Sequence, residues 1–480
     1  MQPRSLRCHH NARGSALSTR TAKDSLGFKD GPADAYYGIQ TARAVENYPI
    51  SGLRAHVSLI RAIAMIKEAA AEANLDLRLI EEKTADAIIA AAREIQQGKW
   101  HEHFVVDVFQ AGAGVSFHMN TNEVIANRAS ELLGGRLGEY QHAHPNDHVN
   151  YGQSTNDVFP TAMRLAALLE LERLYAVLDT LAVELNNKGD EFHSILKSGR
   201  THMMDAVPMR LGQEFTAYAA AVRRAQRSLE QQGELLREIG LGGSAVGTGI
   251  NTHPEYRQKA VAHLARISGE QLEAVDDMRY AMQSNLAMSA VSGALRNLAL
   301  EIIRISNDLR LLASGPNTGL AEINLPALQP GSSIMPGKIN PVMAELAAMV
   351  SFQVVGYDTA VALAVQAGQL ELNVMMPTMA YSVLMAITIM TNMLRQLTEF
   401  CVKGITANQK RCEFYAQSTV SLATALNPYI GYARAAEIAK ESIATGKTII
   451  EIAREKGWLS EEQIREILDP ESMTEPRKKT

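Results

Sequence analysis

With 480 residues, 46% hydrophobic and 21% charged, the chain is long enough for two or three packed units and too apolar for a disordered protein. Its formal net charge of -5 provides no excess of positive charge for nucleic acid. The three cysteines, Cys8, Cys401 and Cys412, include no Cys-X-X-Cys pair, which excludes a disulfide framework and a cysteine-based zinc site. This cysteine usage suits a reducing, cytoplasmic location.

The chain begins with a basic segment. Residues 1–23 contain Arg and Lys but no Asp or Glu, a composition also seen in organelle transit peptides. A basic tail without fixed structure is the simpler interpretation. We therefore predict a disordered tail over residues 1–23, followed by an N-terminal domain over residues 24–156.

Five long runs with little glycine or proline predict long helices. They cover residues 161–188, 213–232, 294–314, 342–369 and 378–403. These runs predict a central helix-bundle domain over residues 157–405. Residues 406–480 contain two short amphipathic patterns separated by Gly446, and we predict a small helical C-terminal domain there.

The last of these runs contains no charged side chain between residues 378 and 394. The stretch is shorter than a typical membrane span and includes several Thr, Ser and Asn residues, so we expect no membrane association. A helix that is apolar on nearly every face belongs in the centre of a core. Because five helices cannot surround one another so completely, we expect an oligomer with a shared core.

Three polar segments interrupt the helical sequence, and the first reads GSSIMPGKINP at residues 331–341. A phosphate-binding Walker A loop has four residues between its glycines and Ser or Thr after its lysine, so this segment is not one. Asn340 and Pro341 suit the cap and first position of a helix. Helix N-termini attract anions and Lys338 adds positive charge, so this segment could be a loop that binds a carboxylate. An ordinary surface loop followed by a capped helix is the alternative interpretation.

The other two segments read GQSTNDVFP at residues 152–160 and GRTHMMDAVP at residues 199–208. Ser154, Thr155 and Asn156 precede a predicted long helix, where they could cap it or bind a small polyanion. His202 by itself would be structural more often than catalytic. Glu345 would by default be a surface acid that suits a helix N-terminus.

Together these segments resemble the aspartase/fumarase superfamily. GSSIMPGKINP is close to its GSSxMPxKxNP loop, and GQSTNDVFPTA, GRTHMMDAVPMRLGQEF, GGSAVGTGINT and LNPYIGY resemble its other blocks in the same order. The similarity runs from about residue 24 to about residue 475. It implies an all-α, three-domain fold with a central five-helix bundle, and a homotetramer whose four bundles form a twenty-helix core.

Within the superfamily the resemblance favours aspartases. Argininosuccinate lyases usually carry QKKN where this chain reads GKIN, and class II fumarases tend to read DATPLTLGQE and KVNPTQCEA where it has DAVPM and INPVM. An aspartase deaminates L-aspartate reversibly to fumarate and ammonia without a cofactor. Fumarate hydratase is the alternative, and a catalytically silent structural homologue, as among lens crystallins, is a third possibility.

The resemblance also implies roles for individual residues. Deamination removes a weakly acidic proton beside a carboxylate, so fixed donors must meet the charge that develops there. The implied catalytic residues are Ser332 as base and His202 paired with Glu345. The implied substrate-binding residues are Ser154, Thr155 and Ser333 for the β-carboxylate, Lys338 and Asn340 for the α-carboxylate, and Asn156 and Thr201 beside the amine. In the family three subunits contribute to each site.

Two positions depart from the family pattern. Val115 stands where the GxGT motif has Thr, and it counts among the substrate-binding positions; Met376 stands where aspartases commonly have Glu. Both differences bear on substrate preference. Loop histidines are spaced in a way that a metal could use, namely His101, His103, His142, His144 and His148. Without a Cys or carboxylate framework they predict no required metal.

Overall fold

The computed structural model describes residues 18–476 and is mainly helical, which confirms the predicted all-α class. The α-helices are α1 Ile39–Asn47, α2 Val57–Asp76, α3 Glu82–Gln96, α4 Val115–Leu132, α5 Thr155–Glu191, α6 Leu211–Gly233, α7 Tyr256–Ser268, α8 Met278–Gln283, α9 Leu286–Leu312, α10 Val342–Gln366, α11 Met376–Phe400, α12 Gln409–Ser418, α13 Asn427–Ile430, α14 Tyr432–Thr445, α15 Ile449–Lys456 and α16 Glu461–Ile467. The five longest, α5, α6, α9, α10 and α11, each overlap one of the five predicted runs, although several begin or end at other residues.

Short strands pair into two-stranded sheets. The strands of the described chain are β1 Thr19–Asp24, β2 Gly27–Pro32, β3 Leu196–Thr201, β4 Met204–Arg210, β5 Glu238–Ile239, β6 Glu273–Ala274, β7 Ile323–Asn324 and β8 Thr406–Ala407. The pairs β1–β2, β3–β4 and β7–β8 are antiparallel, and β5–β6 is parallel.

The hairpin β1–β2 corrects the predicted extent of the N-terminal tail. Thr19 is in register with Pro32, and Lys23 with Phe28. The turn forms because the Asp24 side chain accepts the N–H of Leu26 at 2.9 Å, a frequent role of Asp in turns. Residues 19–23 are therefore part of a strand, whereas residues 1–17 of the predicted tail lie outside the described residues.

The chain divides into two compact units. Within the described range, unit 1 contains residues 18–170, 232–291 and 359–385, and unit 2 contains residues 171–231, 292–358 and 386–476. Each of the five longest helices contributes residues to both units. The division into three domains at residues 24–156, 157–405 and 406–480 stays a prediction.

In unit 1, α2 packs against α3 and α7, and α3 packs against α4. Small side chains let these helices approach closely, since Ala62, Ala64, Ala69, Ala70 and Ala73 of α2 are fully buried. Helix α2 is buried on most of its circumference and forms the centre of this unit.

In unit 2, the C-terminal helices enclose a cluster of aliphatic side chains that includes Leu422, Ile438, Ile452 and Ile464. Helices α15 and α16 each begin with a capping box. Gly446 ends α14 with a left-handed φ of 73°, as the predicted break between two short helices required. Unit 2 also buries the two cysteines of the described chain, Cys401 and Cys412, as free thiols, and burial raises the pKa of each to about 12.

Helix α10 leaves an apolar face uncovered. Helices α9 and α10 and the helical stretch Met376–Gly404 are all long and apolar enough to cross a membrane by length and composition. Only 28% of the apolar window of α10 is buried, compared with 67% for Met376–Gly404. On α10, Met349, Phe352 and Leu363 share one face and are 59%, 59% and 62% exposed. We call these three residues the α10 face.

Candidate active site

Two helix N-termini meet in unit 1. His118, in the first turn of α4, hydrogen-bonds through Nδ1 to Oγ1 of Thr155, the first residue of α5, at 2.7 Å. Gly114, just before α4, lies so close to the Phe159 ring of α5 that an added Cβ would be 2.3 Å from it. Because the N-terminus of a helix carries partial positive charge and unpaired N–H groups, this place suits a carboxylate.

The three predicted binding residues at the start of α5 are half-buried neighbours with different partners. Ser154 Oγ accepts the backbone N–H of Asn156 at 3.2 Å, so this serine acts as a cap. The side-chain amide of Asn156 donates to the carbonyl of Ala245 at 2.7 Å, which fixes the direction of its Oδ1. Thr155 is held by His118.

A buried carboxylate holds this segment in place. Asp157 accepts backbone N–H groups from Ser154, Gly242 and Ser244 at 2.9, 3.0 and 3.0 Å. Burial raises the pKa of Asp157 to about 6, and these three bonds oppose the rise because they favour the charged form. Asp157 therefore fastens the start of α5 to the glycine-rich loop around residues 242–247.

Behind Thr155 lies a buried polar group that the sequence analysis did not identify. Lys67 of α2 is fully buried, and its Nζ lies 2.7 Å from His118 Nε2. The same Nζ donates to Asn150 Oδ1 at 3.1 Å and to Gln153 Oε1 at 2.8 Å. Burial lowers the pKa of Lys67, and Asp157 opposes this; burial, and secondarily Lys67, lowers the pKa of His118. The available sequence signal was a single lysine within the apolar run AIAMIKEAAA.

Val115 and Met376, the two positions that depart from the family pattern, each follow a segment that takes part in one backbone hydrogen bond. Val115 is the first residue of α4 and is 42% exposed. Met376 is the first residue of α11 and is buried. The N–H of Ala113 donates to the carbonyl of Val374 at 2.7 Å, so the segments preceding these two residues are hydrogen-bonded.

The predicted base lies in the unit 2 loop, residues 331–341. Ser332 Oγ accepts the backbone N–H groups of Ile334 at 3.2 Å and Met335 at 2.9 Å. Ser333 and Lys338 are exposed in the same loop. Two N–H donors aimed at one hydroxyl oxygen stabilise negative charge on that oxygen.

The ends of this loop are fastened to each other. Gly331 donates its N–H to the carbonyl of Lys338 at 2.9 Å, and the side-chain amide of Asn340 donates to the carbonyl of Gly331 at 2.7 Å. An added Cβ at Gly331 would lie 2.5 Å from the Lys338 carbonyl oxygen, so this closure requires glycine. The predicted helix cap at Asn340 is wrong in this respect, because its side chain closes the loop and α10 begins at Val342.

Thr201 and His202 are exposed at the tip of the hairpin β3–β4. His202 and Met203 both have positive φ, 55° and 65°, as a tight connection between right-twisted strands requires. The antiparallel ladder between β3 and β4 reaches Thr201 and Met204 and holds the solvent-exposed tip.

Ion pairs anchor this hairpin in unit 2. Lys197 of β3 is buried and lies 2.7 Å from Glu214 and 2.9 Å from Glu322. Arg200, two residues before His202, pairs with the fully buried Glu322 at 2.8 Å. These contacts fix where the hairpin tip stands.

Within unit 2, the predicted pair of His202 and Glu345 is not formed: in residues 18–476 the two side chains make no ion pair with each other. Glu345 lies half-buried in the first turn of α10. The structure thus brings together the residues of each sequence segment, and the pairing of His202 with Glu345 stays a prediction for the assembled protein. Over the same described range, no group of three or more His, Cys, Asp or Glu side chains is arranged to hold a metal ion.

Comparison with known proteins identifies the family of this chain. Residues 27–356 match a family described as lyase, and residues 422–475 match one described as fumarase C C-terminus. The chain is 49% identical over 457 residues to an aspartate ammonia-lyase of Bacillus subtilis, covering 95% of this chain and 96% of that protein. It is also 49% identical over 456 residues to a class II fumarate hydratase of Halobacterium salinarum, covering 95% and 97%.

Among solved structures, a fumarate lyase:delta crystallin of Brucella melitensis, bound to cobalt, superposes with a TM-score of 0.93. The two chains are 49% identical, and the match covers 96% of this chain and all of that one. The two proteins therefore share one fold along nearly the whole length of this chain. The protein is a lyase that belongs to the aspartase/fumarase superfamily.

Proposed function

We propose that the protein deaminates L-aspartate reversibly to fumarate and ammonia, with Ser332 as the base. The hydroxyl of Ser332 carries this proposal. A serine is a poor base unless its alkoxide is stabilised, and the N–H groups of Ile334 and Met335 already point at its oxygen. As its alkoxide, Ser332 takes a proton from the carbon beside the β-carboxylate. The electron pair left on that carbon forms the C=C bond of fumarate as the C–N bond breaks, and the protonated amine leaves as ammonia.

The carboxylates of the substrate need separate sets of donors. Ser154, Thr155 and Ser333 bind the β-carboxylate, which gains negative charge as the proton leaves. The N-termini of α4 and α5 support that role, because Thr155 lies where both begin. Lys338 and Asn340 bind the α-carboxylate.

The amine lies beside Asn156, Thr201 and His202, and Glu345 pairs with His202. Asn156 is suited to this task because its amide N–H is used by Ala245, so that its oxygen is directed elsewhere as an acceptor. The exposed position of His202 at a hairpin tip suits contact with another subunit.

We also propose a homotetramer in which three subunits contribute to each site. The α10 face supports this, since an exposed apolar stripe on a helix requires a partner. Lipid is a poor partner for this face, because the same apolar helix carries a charged residue, Asp358. The carboxylate of Asp358 accepts a hydrogen bond from the Ser292 hydroxyl at 2.7 Å and forms an ion pair with Arg296 at 3.3 Å. Copies of the chain cover such a face without exposing that pair to hydrocarbon.

Fumarate hydratase is the second candidate, and the Halobacterium relative favours it at the same 49% identity. It would use the same scaffold with water in place of ammonia. The aspartase-like sequences DAVPM and INPVM and the Bacillus relative favour L-aspartate.

The deciding experiment supplies purified protein with L-aspartate or L-malate and follows fumarate by its ultraviolet absorbance, without added cofactor. We expect fumarate from L-aspartate, and the reverse reaction from fumarate with ammonia. Faster use of L-malate would replace the proposal with the hydratase. Turnover of neither substrate would favour a silent homologue.

A further inference from the structure

The buried group behind Thr155 forms a continuous chain of hydrogen bonds. It runs from Lys67 Nζ to His118 Nε2, and from His118 Nδ1 to Thr155 Oγ1, with 2.7 Å at each step. Lys67 is fully buried and His118 is 1% exposed, whereas Thr155 is half-buried. The chain therefore begins in the core of unit 1 and ends where α4 and α5 start.

The surroundings of Lys67 give this chain a direction. An ammonium group has three N–H donors and accepts nothing, and Nζ has three neighbours that can accept: Asn150 Oδ1, Gln153 Oε1 and His118 Nε2. The buried carboxylate of Asp157, itself held by three backbone N–H groups, supplies the opposing charge in the same unit. We take Lys67 as the ammonium, the form that Asp157 favours against burial, and in this form it donates to the imidazole.

The direction then fixes the hydrogen of the threonine. Because Nε2 of His118 accepts, the neutral ring carries its proton on Nδ1 and donates it to Thr155 Oγ1. The oxygen of Thr155 is thus occupied as an acceptor, and its own hydrogen remains for another group. A hydroxyl fixed in this state meets a carboxylate without first having to rotate.

We propose that Lys67 and His118 are positioning residues that hold the hydroxyl of Thr155 as a hydrogen-bond donor to a substrate carboxylate. This inference rests on the proposed function in one respect, that Thr155 binds the β-carboxylate. Lys67 and His118 contact no substrate atom; they act through Thr155.

The test measures binding and does not depend on turnover. Succinate carries two carboxylates but no amine, and its affinity for the full-length assembled protein is measured by titration calorimetry. The variants are His118→Leu, His118→Asn, Lys67→Met and Thr155→Val, together with the double variant His118→Leu/Thr155→Val. Thr161→Val is the matched control, because Thr161 is a buried threonine of α5 whose hydroxyl donates to the Asp157 carbonyl at 2.7 Å.

We expect His118→Leu and Thr155→Val each to weaken succinate binding on the order of tenfold, the effect of one hydrogen bond to a charged group. His118→Asn, whose amide places a donor near the former Nδ1, should retain affinity within about threefold. The double variant should bind no more weakly than Thr155→Val alone, because both changes act on the same hydroxyl. Thr161→Val should lower thermal stability and leave affinity unchanged.

Several outcomes overturn the proposal. Equal or tighter binding by His118→Leu would mean that the imidazole accepts from Thr155 and withholds its hydrogen. Additive losses in the double variant would show that His118 does not act through Thr155. A wild-type protein that does not bind succinate would contradict the proposal that Thr155 donates to a substrate carboxylate. If His118→Leu does not fold, Lys67→Met is decisive, with several-fold weaker binding expected and unchanged binding contradicting the chain. The proposed function fails separately, when succinate binds as expected but L-aspartate is not deaminated.

Discussion

At Ser332, one hydroxyl oxygen accepts two backbone N–H groups within a loop that is fastened at its base. Replacing this serine by alanine removes the proposed base but little packing, since the side chain is not fully buried. We expect Ser332→Ala to lower turnover of L-aspartate by ~10²–10⁴-fold. Circular dichroism should show unchanged helicity.

Ser418→Ala is the control for this change, because Ser418 is an exposed serine of unit 2 whose hydroxyl donates to the carbonyl of Phe414. Its turnover should equal that of the wild type. Near-native turnover by Ser332→Ala would instead assign the base to another residue.

Val115 is open to solvent at the first position of α4, so a new hydroxyl there can reach a ligand. Val115→Thr keeps the shape of the side chain and supplies the hydroxyl of the GxGT pattern. A hydrogen bond to a charged group contributes ~1.5–3 kcal/mol, which corresponds to about tenfold to a hundredfold in kcat/KM for L-aspartate. Unchanged or lower kcat/KM would show that Val115 suits its site, and a bulkier or less polar relative of aspartate should then be tried as substrate.

Among secondary-structure elements, α3 and α4 are joined by a charged pair in unit 1. Arg128 of α4 lies 2.7 Å from Glu94 of α3, and this hydrogen bond holds the pKa of Glu94 at about 2, while burial opposes the shift. Since the folded state favours the carboxylate, its stabilising effect is present above pH 4.5 and is lost as pH falls toward 2.

Glu94→Gln should therefore lower the thermal unfolding temperature at pH 7, with a smaller difference from the wild type at pH 4 and the smallest at pH 3. Thermal scans at each pH, monitored by helicity, measure this difference. A difference that is constant over this range would mean that the ionisation of Glu94 does not contribute to the pairing of α3 with α4.

The long elements could be predicted from the sequence because glycine and proline mark their ends, but their starts were less accurate. Helix α5 begins at Thr155 and continues through Pro160, since a proline in the first turns removes few helical hydrogen bonds. Helix α9 begins at Leu286 and passes through Gly293, which the predicted run excluded. The hairpin β3–β4 was not predicted as strands, because its short sequence lacks a regular alternation of apolar residues.

The site was predictable only where its residues share a segment. Ser154, Thr155 and Asn156 are adjacent in sequence and remain so in space. Lys67 and His118 meet across 51 residues, and nothing in either local pattern specifies that meeting. Residue types indicate what a segment can do, whereas contacts between distant segments follow from how α2, α4 and α5 pack.

For the whole molecule, the α10 face predicts assembly. Phe352→Glu places a charge in the centre of this face and should dissociate the tetramer, because burying an unpaired carboxylate is costly. Light scattering should give about four times 52.4 kDa for the wild type and a smaller mass for the variant. Activity should fall with the mass, since each proposed site needs three subunits.

Phe414→Glu is the matched control: Phe414 lies on α12 and is 57% exposed, close to the 59% of Phe352. This variant should keep the mass of the wild type. A wild-type protein that is an active monomer, or a Phe352→Glu variant that stays tetrameric, would contradict the role of the α10 face.

The two buried cysteines of unit 2 also make its opening measurable without introducing a probe residue. With their pKa raised to about 12, Cys401 and Cys412 present almost no thiolate at neutral pH, so alkylating reagents reach them only when the surrounding structure opens. Cys412 donates to the carbonyl of Glu322, the anchor of the hairpin that carries His202, while Cys401 follows the end of α11. Peptide mass mapping after timed iodoacetamide exposure would follow each thiol separately. Equal modification rates of the two thiols would indicate that unit 2 opens as a whole. Faster modification of Cys412 would mean that the structure around the hairpin's anchor opens locally while the structure around Cys401 stays closed.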